Sequence, residues 1–175
     1  HSARLAGLEV SDETFTRAQK YMASVASGTH GGLYAYTGGG PNPAMTASGM
    51  FCRQLDLVPP TDPRMHEGAD YLGRHKFNNN PDYYYVYYAT LALYQHQGPV
   101  WKEWNDNLKD TFPRIQNKIG NNRGSWDPDG RHANAGGRVV STTLAVLSLE
   151  VYYRLLPMYG FRGASDLPDA KKRGR

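Results

Sequence analysis

Asp127, Asp129 and His132 follow Trp126 on a stretch rich in turn-forming residues. Two carboxylates and an imidazole so close together can act as acid and base, or hold a divalent cation. They are the candidate catalytic residues. The same three also read as turn caps before Gly130 and a solvated histidine, which is what Asp and Gly at these offsets ordinarily do. The second group able to do chemistry is aromatic. Tyr34 and Tyr36 stand in a glycine-rich stretch, and five tyrosines fall between Tyr83 and Tyr88. Aromatic faces around a cavity stabilise a cation or grip a flat apolar ligand. Tyr34, Tyr36, Tyr84, Tyr88 and Trp126 are therefore the candidate ligand-binding residues, against the alternative that most tyrosines pack between helices. His66, His75 and His96 lack metal-ligand spacing, so no metal and no cofactor are expected. Lone Cys52 excludes an internal disulfide and reads as a small core residue.

These residues need elements to hold them. Val139 to Tyr153 is apolar on nearly every face, too polar at Ser141, Thr142, Ser148 and Glu150 to span a membrane, and closed by Pro157. It is expected to be an enclosed helix, with Glu150 paired to Arg53 or Arg154 because a bare buried carboxylate is costly. Upstream, Ser11-Asp12-Glu13 caps an amphipathic helix with the stripe Phe15, Ala18, Tyr21, Met22 and Val25. A glycine-rich loop over Thr29 to Asn42 needs positive φ and brings its backbone close to something. Helices follow from Pro43 through Leu55 and from about Pro63 to His75, where Met65, Ala69 and Leu72 are buried. Asp82 to Gln95 reads as helix despite its tyrosines, being too long for an ordinary strand. Gly98-Pro99 opens another amphipathic helix, kinked or split at Pro113.

The pattern repeats three times: an outer, half-polar helix, a Gly/Asn-rich loop bearing an aromatic, then an inner, mostly apolar helix. Met45-Thr46-Ala47, Ala89-Thr90-Leu91 and Thr142-Thr143-Leu144 register the inner helices at spacings of about 40 to 55 residues, the range of helical repeat arrays. The expected architecture is all-α, with residues 1–160 as one repeat domain and 161–175 as a basic tail.

Several stretches resemble the prenyltransferase and squalene oxidase repeat family, which includes the squalene–hopene cyclases and the protein prenyltransferase β subunits. They are Gln19 through Gly31-Gly32-Leu33-Tyr34, Gln95 through Gly98 to Trp101, and above all Gln116 through Gly124-Ser125-Trp126, with Gly136 to Ala145 as entry to an inner helix. The resemblance covers about residues 12 to 158 and implies an α/α toroid-like array, here a partial toroid of three helical hairpins. The cyclases' Asp-x-Asp-Asp acid is absent, Asp127-Pro128-Asp129-Gly130 being a partial echo. The prenyltransferases' zinc pair is absent too, since Met50 and Phe51 precede Cys52. The resemblance thus implies a non-catalytic repeat domain used for binding or assembly, part of a longer polypeptide. The alternative is a cyclase- or transferase-type enzyme acting on an isoprenoid or other apolar small molecule.

Net charge is +4, of which residues 161–175 supply five Lys/Arg against two Asp, so the body is close to neutral. No basic face threaded with aromatics is present, and nucleic acid is not an expected partner. Expected instead are a homodimer or flanking repeats, because three hairpins leave apolar flanks uncovered. The sequence names no compartment.

Overall fold

A computed structural model describes residues 2–128 and 130–158, without the side chains of 130–134. Asp129 and the tail over 161–175 lie outside the described residues, and the side chain of His132 does too. The described chain is mainly helical, with α1 Ser2–Leu5, α2 Asp12–Ser24, α3 Pro43–Leu55, α4 Pro63–Arg74, α5 Tyr83–His96, α6 Gly98–Ile115 and α7 Gly130–Arg154. A small antiparallel pair, β1 Ala26–Ser27 and β2 Leu33–Tyr34, lies between α2 and α3.

The helix starts follow from local chemistry. Asn42, Asp62 and Asp82 each turn a side-chain oxygen onto a backbone N–H of the first turn, at 3.0 Å to Met45, 2.9 Å to Arg64 and 3.1 Å to Tyr84. Pro43 and Pro63 occupy first-turn positions where the missing N–H costs nothing. The tyrosine run forms α5, eleven of whose residues are buried. Pro113 remains within α6 and does not split it. Gly137, at φ 68°, breaks the regularity of α7, and the continuous part of that helix follows it.

α3, α5 and α7 pack side by side in that order, while α4 touches α3 and α5, and α6 touches α5 and α7. One core runs through them, with Met50, Met65, Leu72, Val86, Leu108 and Phe112 closed to solvent. Three threonines tie α3, α5 and α7 to neighbouring segments, two through the backbone of the residues leading into a helix and one through a tryptophan of α6. Thr46 Oγ1 accepts from the Tyr34 N–H at 3.1 Å, Thr90 Oγ1 from the Trp104 Nε1–H at 2.9 Å, and Thr142 Oγ1 from the Trp126 N–H at 3.2 Å. The third threonine of the register is thus Thr142, one residue earlier than the spacing Thr142-Thr143-Leu144 centres it. Thr143 is exposed.

Four expectations are corrected. The helix from Val139 is not enclosed: Val139, Val146 and Tyr153 are 77%, 38% and 81% exposed along one face. Glu150 lies on that face and is exposed, so the burial cost that called for an arginine partner does not arise. Cys52 is exposed, not a core residue. No residue of α2 is buried, and its stripe lies largely open, Tyr21 included at 51% exposure. The Arg4 guanidinium lies 4.0 Å from the centre of the Phe15 ring, and the Tyr21 hydroxyl donates to the carbonyl of Tyr36. Apolar periodicity correctly marks which faces of these helices are fit for packing, but a face is buried only where a neighbour exists.

Candidate functional site

The glycine-rich loop closes around a carboxylate of its own chain. Glu67, on α4, accepts from the backbone N–H groups of Thr29 at 2.6 Å, His30 at 3.0 Å and Gly32 at 2.8 Å. Burial pushes the Glu67 carboxyl up, but the three N–H groups outweigh it and hold it below the usual range. The glycines are needed for this approach. A Cβ on Gly32 would stand 2.2 Å from the Arg64 carbonyl oxygen, and one on Gly28 would meet the Glu67 carboxylate at 2.6 Å. The partner this loop draws near is therefore internal. Its N–H groups are already filled by Glu67.

Tyr34 is only 1% exposed, its ring against Gly49 and its hydroxyl accepting from Arg53 Nε at 3.2 Å. Trp126 is 3% exposed, and its indole N–H donates to the Phe112 carbonyl at 2.9 Å. Both are pegs between the layers. Tyr84 and Tyr88 are half-buried one helical turn apart, with ring centres 4.8 Å apart. Burial, then Tyr84 and Tyr87 nearby, raise the Tyr88 hydroxyl, so it stays protonated.

Tyr36 is different, at 71% exposure. It borders an open groove of about 740 Å³ together with Asn42, Pro43, Met45, Asp82 and Tyr85. The starts of α3 and α5 meet here, so the caps Asn42 and Asp82 form part of its wall. Neither oxygen is idle, since Asn42 caps α3 and Asp82 caps α5. Sequence patterning found Tyr36 but missed Asn42, Met45, Asp82 and Tyr85. The signal for two of them was the cap itself: parallel helices must bring their caps to the same end. The groove takes in neither Tyr34, Tyr84, Tyr88 nor Trp126 among its walls.

Asp127 pairs with Arg138 Nη1 at 2.6 Å and accepts from Asn117 Nδ2 at 3.2 Å. The hydrogen bond from Arg138, then that from Asn117, holds its carboxyl below the usual range. The same corner ties Gln116 Nε2 to the Gly124 carbonyl at 2.9 Å and the Asn117 N–H to the Ser125 carbonyl at 2.9 Å. Among the described residues no group of three His, Cys, Asp or Glu side chains could hold a metal ion. A second hollow of about 540 Å³ lies by His30, His66, Glu67, Asp70 and Arg74. Next to His66 stands His96, edge to face at 5.4 Å, 5% exposed, with no hydrogen-bond partner for Nδ1 among the described residues.

The class these features define is an all-α protein in which α3, α5 and α7 form a row and α4 and α6 pack against it. No family model, curated protein or solved structure matches the chain. No helix among the described residues is long and apolar enough to cross a membrane.

Proposed function

We propose that this chain is a non-catalytic repeat domain of the prenyltransferase and squalene oxidase repeat type, an open arc of inner and outer helices that serves binding or assembly. The observation that carries this reading is the packing order: α3, α5 and α7 stand side by side in chain order, with α4 against α3 and α5 and α6 against α5 and α7. An alternation of that kind is what stacked helical hairpins produce. The state of Asp127 supports the non-catalytic part. A carboxylate clamped by Arg138 and Asn117 stays ionised near neutral pH and is a poor proton donor. The groove beside Tyr36 is open, and its acidic residue Asp82 is engaged in capping α5.

The test is incubation with farnesyl diphosphate, geranylgeranyl diphosphate and a linear triterpene, with products followed by mass spectrometry. The expected outcome is that every substrate is recovered intact. A product that forms with the native chain and is lost in Asp127→Asn would overturn the reading in favour of an enzyme acting on an isoprenoid.

A further inference from the structure

The last turn of α5 fastens two neighbours at once. Tyr94 donates its hydroxyl to the Leu155 carbonyl at 2.7 Å. Gln95 holds the next residues from both sides, its Nε2 donating to the Leu156 carbonyl at 3.3 Å and its Oε1 accepting from the Met158 N–H at 2.7 Å. The segment after α7 is thereby tied to the end of α5. His96, in the same turn, meets α4, where its ring stands edge to face with His66 at 5.4 Å.

Two residues of this turn are held at a cost. Gln97 has φ 63° and ψ −164°, a region open to glycine and unfavourable for any residue with a Cβ. It is kept there by its own bonds, the N–H donating to the Leu93 carbonyl at 2.8 Å and the side-chain amide to the Tyr94 carbonyl. The backbone between α5 and α6 therefore gains by leaving its present conformation. His96 is 5% exposed, and its Nδ1 has no hydrogen-bond partner among the described residues. Protonation would add a charge and leave an N–H with nothing to meet in a place closed to water. Burial is the largest effect opposing that charge, His66 opposes it further, and Asp70 favours it. Among the described residues these two groups of α4 are the titratable neighbours that shift His96, and none of α3, α6 or α7 joins them.

We propose that the last turn of α5 is an acid-sensitive latch: a proton on His96 drives its ring away from His66, Gln97 leaves its strained conformation, and the Leu155–Met158 segment is released. Three features put the opening here. His96 is the final residue of its helix, so its ring reaches water when one turn unwinds. The residue next to it is the strained one. Tyr94 and Gln95, which hold residues 155–158, lie in that same turn and lose their grip with it. Solvent supplies the proton, and the open turn carries it as a hydrated imidazolium. The proposal goes beyond the repeat reading and does not depend on it.

Hydrogen exchange of the full chain between pH 7 and 5, corrected for the intrinsic rate at each pH, tests the latch. The closed ring takes up its proton only at about 4, and the open one at the ordinary value of about 6.5. Protection of the amides at 94–97 should then fall about tenfold for each pH unit below 6.5, and that of Leu155 and Met158 with it. Val86 to Ala89 should remain far better protected at every pH. Equal protection along α3, α5 and α7 at pH 5 would mean that the molecule opens as a whole and would overturn the proposal, as would a turn whose protection does not change with pH. His96→Phe and His96→Gln, two neutral occupants of one place, should each abolish the slope. A slope that survives in either folded variant assigns the proton to another group and sinks the latch. Gln97→Gly should raise protection of the turn throughout, because glycine takes the same backbone conformation without strain; no rise would remove the strain on which release depends.

Discussion

Glu67 shows how one carboxylate can organise a loop that would otherwise look like a ligand site. Three N–H groups converge on it, as they would on a bound anion. Glu67→Gln is expected to cost about 1–3 kcal/mol, the scale of hydrogen bonds to a charged group, and to speed amide exchange at Thr29, His30 and Gly32 while α5 stays protected. Because the folded carboxyl is held down, its contribution is present above the ordinary carboxylate range and fades as pH falls through the folded value. Gly32→Ala is harsher, since the new methyl meets backbone and not a flexible side chain. A loss of about 2 kcal/mol or more in urea unfolding is expected. His96 works in a different window. Burial, then the neighbouring His66, lowers it to about 4, with Asp70 pulling weakly the other way. The unfolded chain takes up this proton at about 6.5 and the folded one does not. Stability is therefore full above that pH and falls between about 6.5 and 4, by about 3 kcal/mol at most. His96→Phe should flatten that part of the pH–stability curve; an unchanged slope would mean another group titrates there.

At the scale of elements, apolar periodicity and the prolines made most helices readable from sequence, and the structure adds the caps. Asn42-Pro43, Asp62-Pro63 and Asp82 mark starts within a residue of those observed, because capping is a local bond between neighbours in the chain. The threonine register was harder, since Thr142 and Thr143 are chemically identical and only a partner from another element separates them. Trp126 selects Thr142. Thr142→Val should leave that N–H without its acceptor and cost about 1–2 kcal/mol, whereas Thr143→Val, on an exposed face, should stay within about 0.5 kcal/mol. Equal effects in thermal unfolding would refute the assigned register. Of the candidate site, only Tyr36 was legible. The groove's other walls are cap and first-turn residues whose proximity depends on α3 and α5 lying in parallel, which no local pattern encodes. Conversely, Tyr34 and Trp126 drew notice as aromatics in glycine-rich corners, and those corners are where the layers are pinned.

For the molecule as a whole, the open face of α7 has a physical reason. Apolar side chains on several faces of a helix mark where packing is possible, and among the described residues α7 has its main neighbours in α5 and α6. That is why Val139 to Tyr153 reads in sequence as a helix buried all round. The idea can be tested with one substitution in each of the three helices. Met50, Tyr94 and Val146 are positions of α3, α5 and α7 at 0%, 3% and 38% exposure. Met50→Ala should cost about 2–5 kcal/mol, as truncation in a closed core does, and Tyr94→Ala should also be costly because it strips the hydroxyl from the Leu155 carbonyl. Val146→Ala in dilute solution should cost well under about 1 kcal/mol. A large Val146→Ala cost in urea unfolding would mean that the α7 face is already covered within the chain.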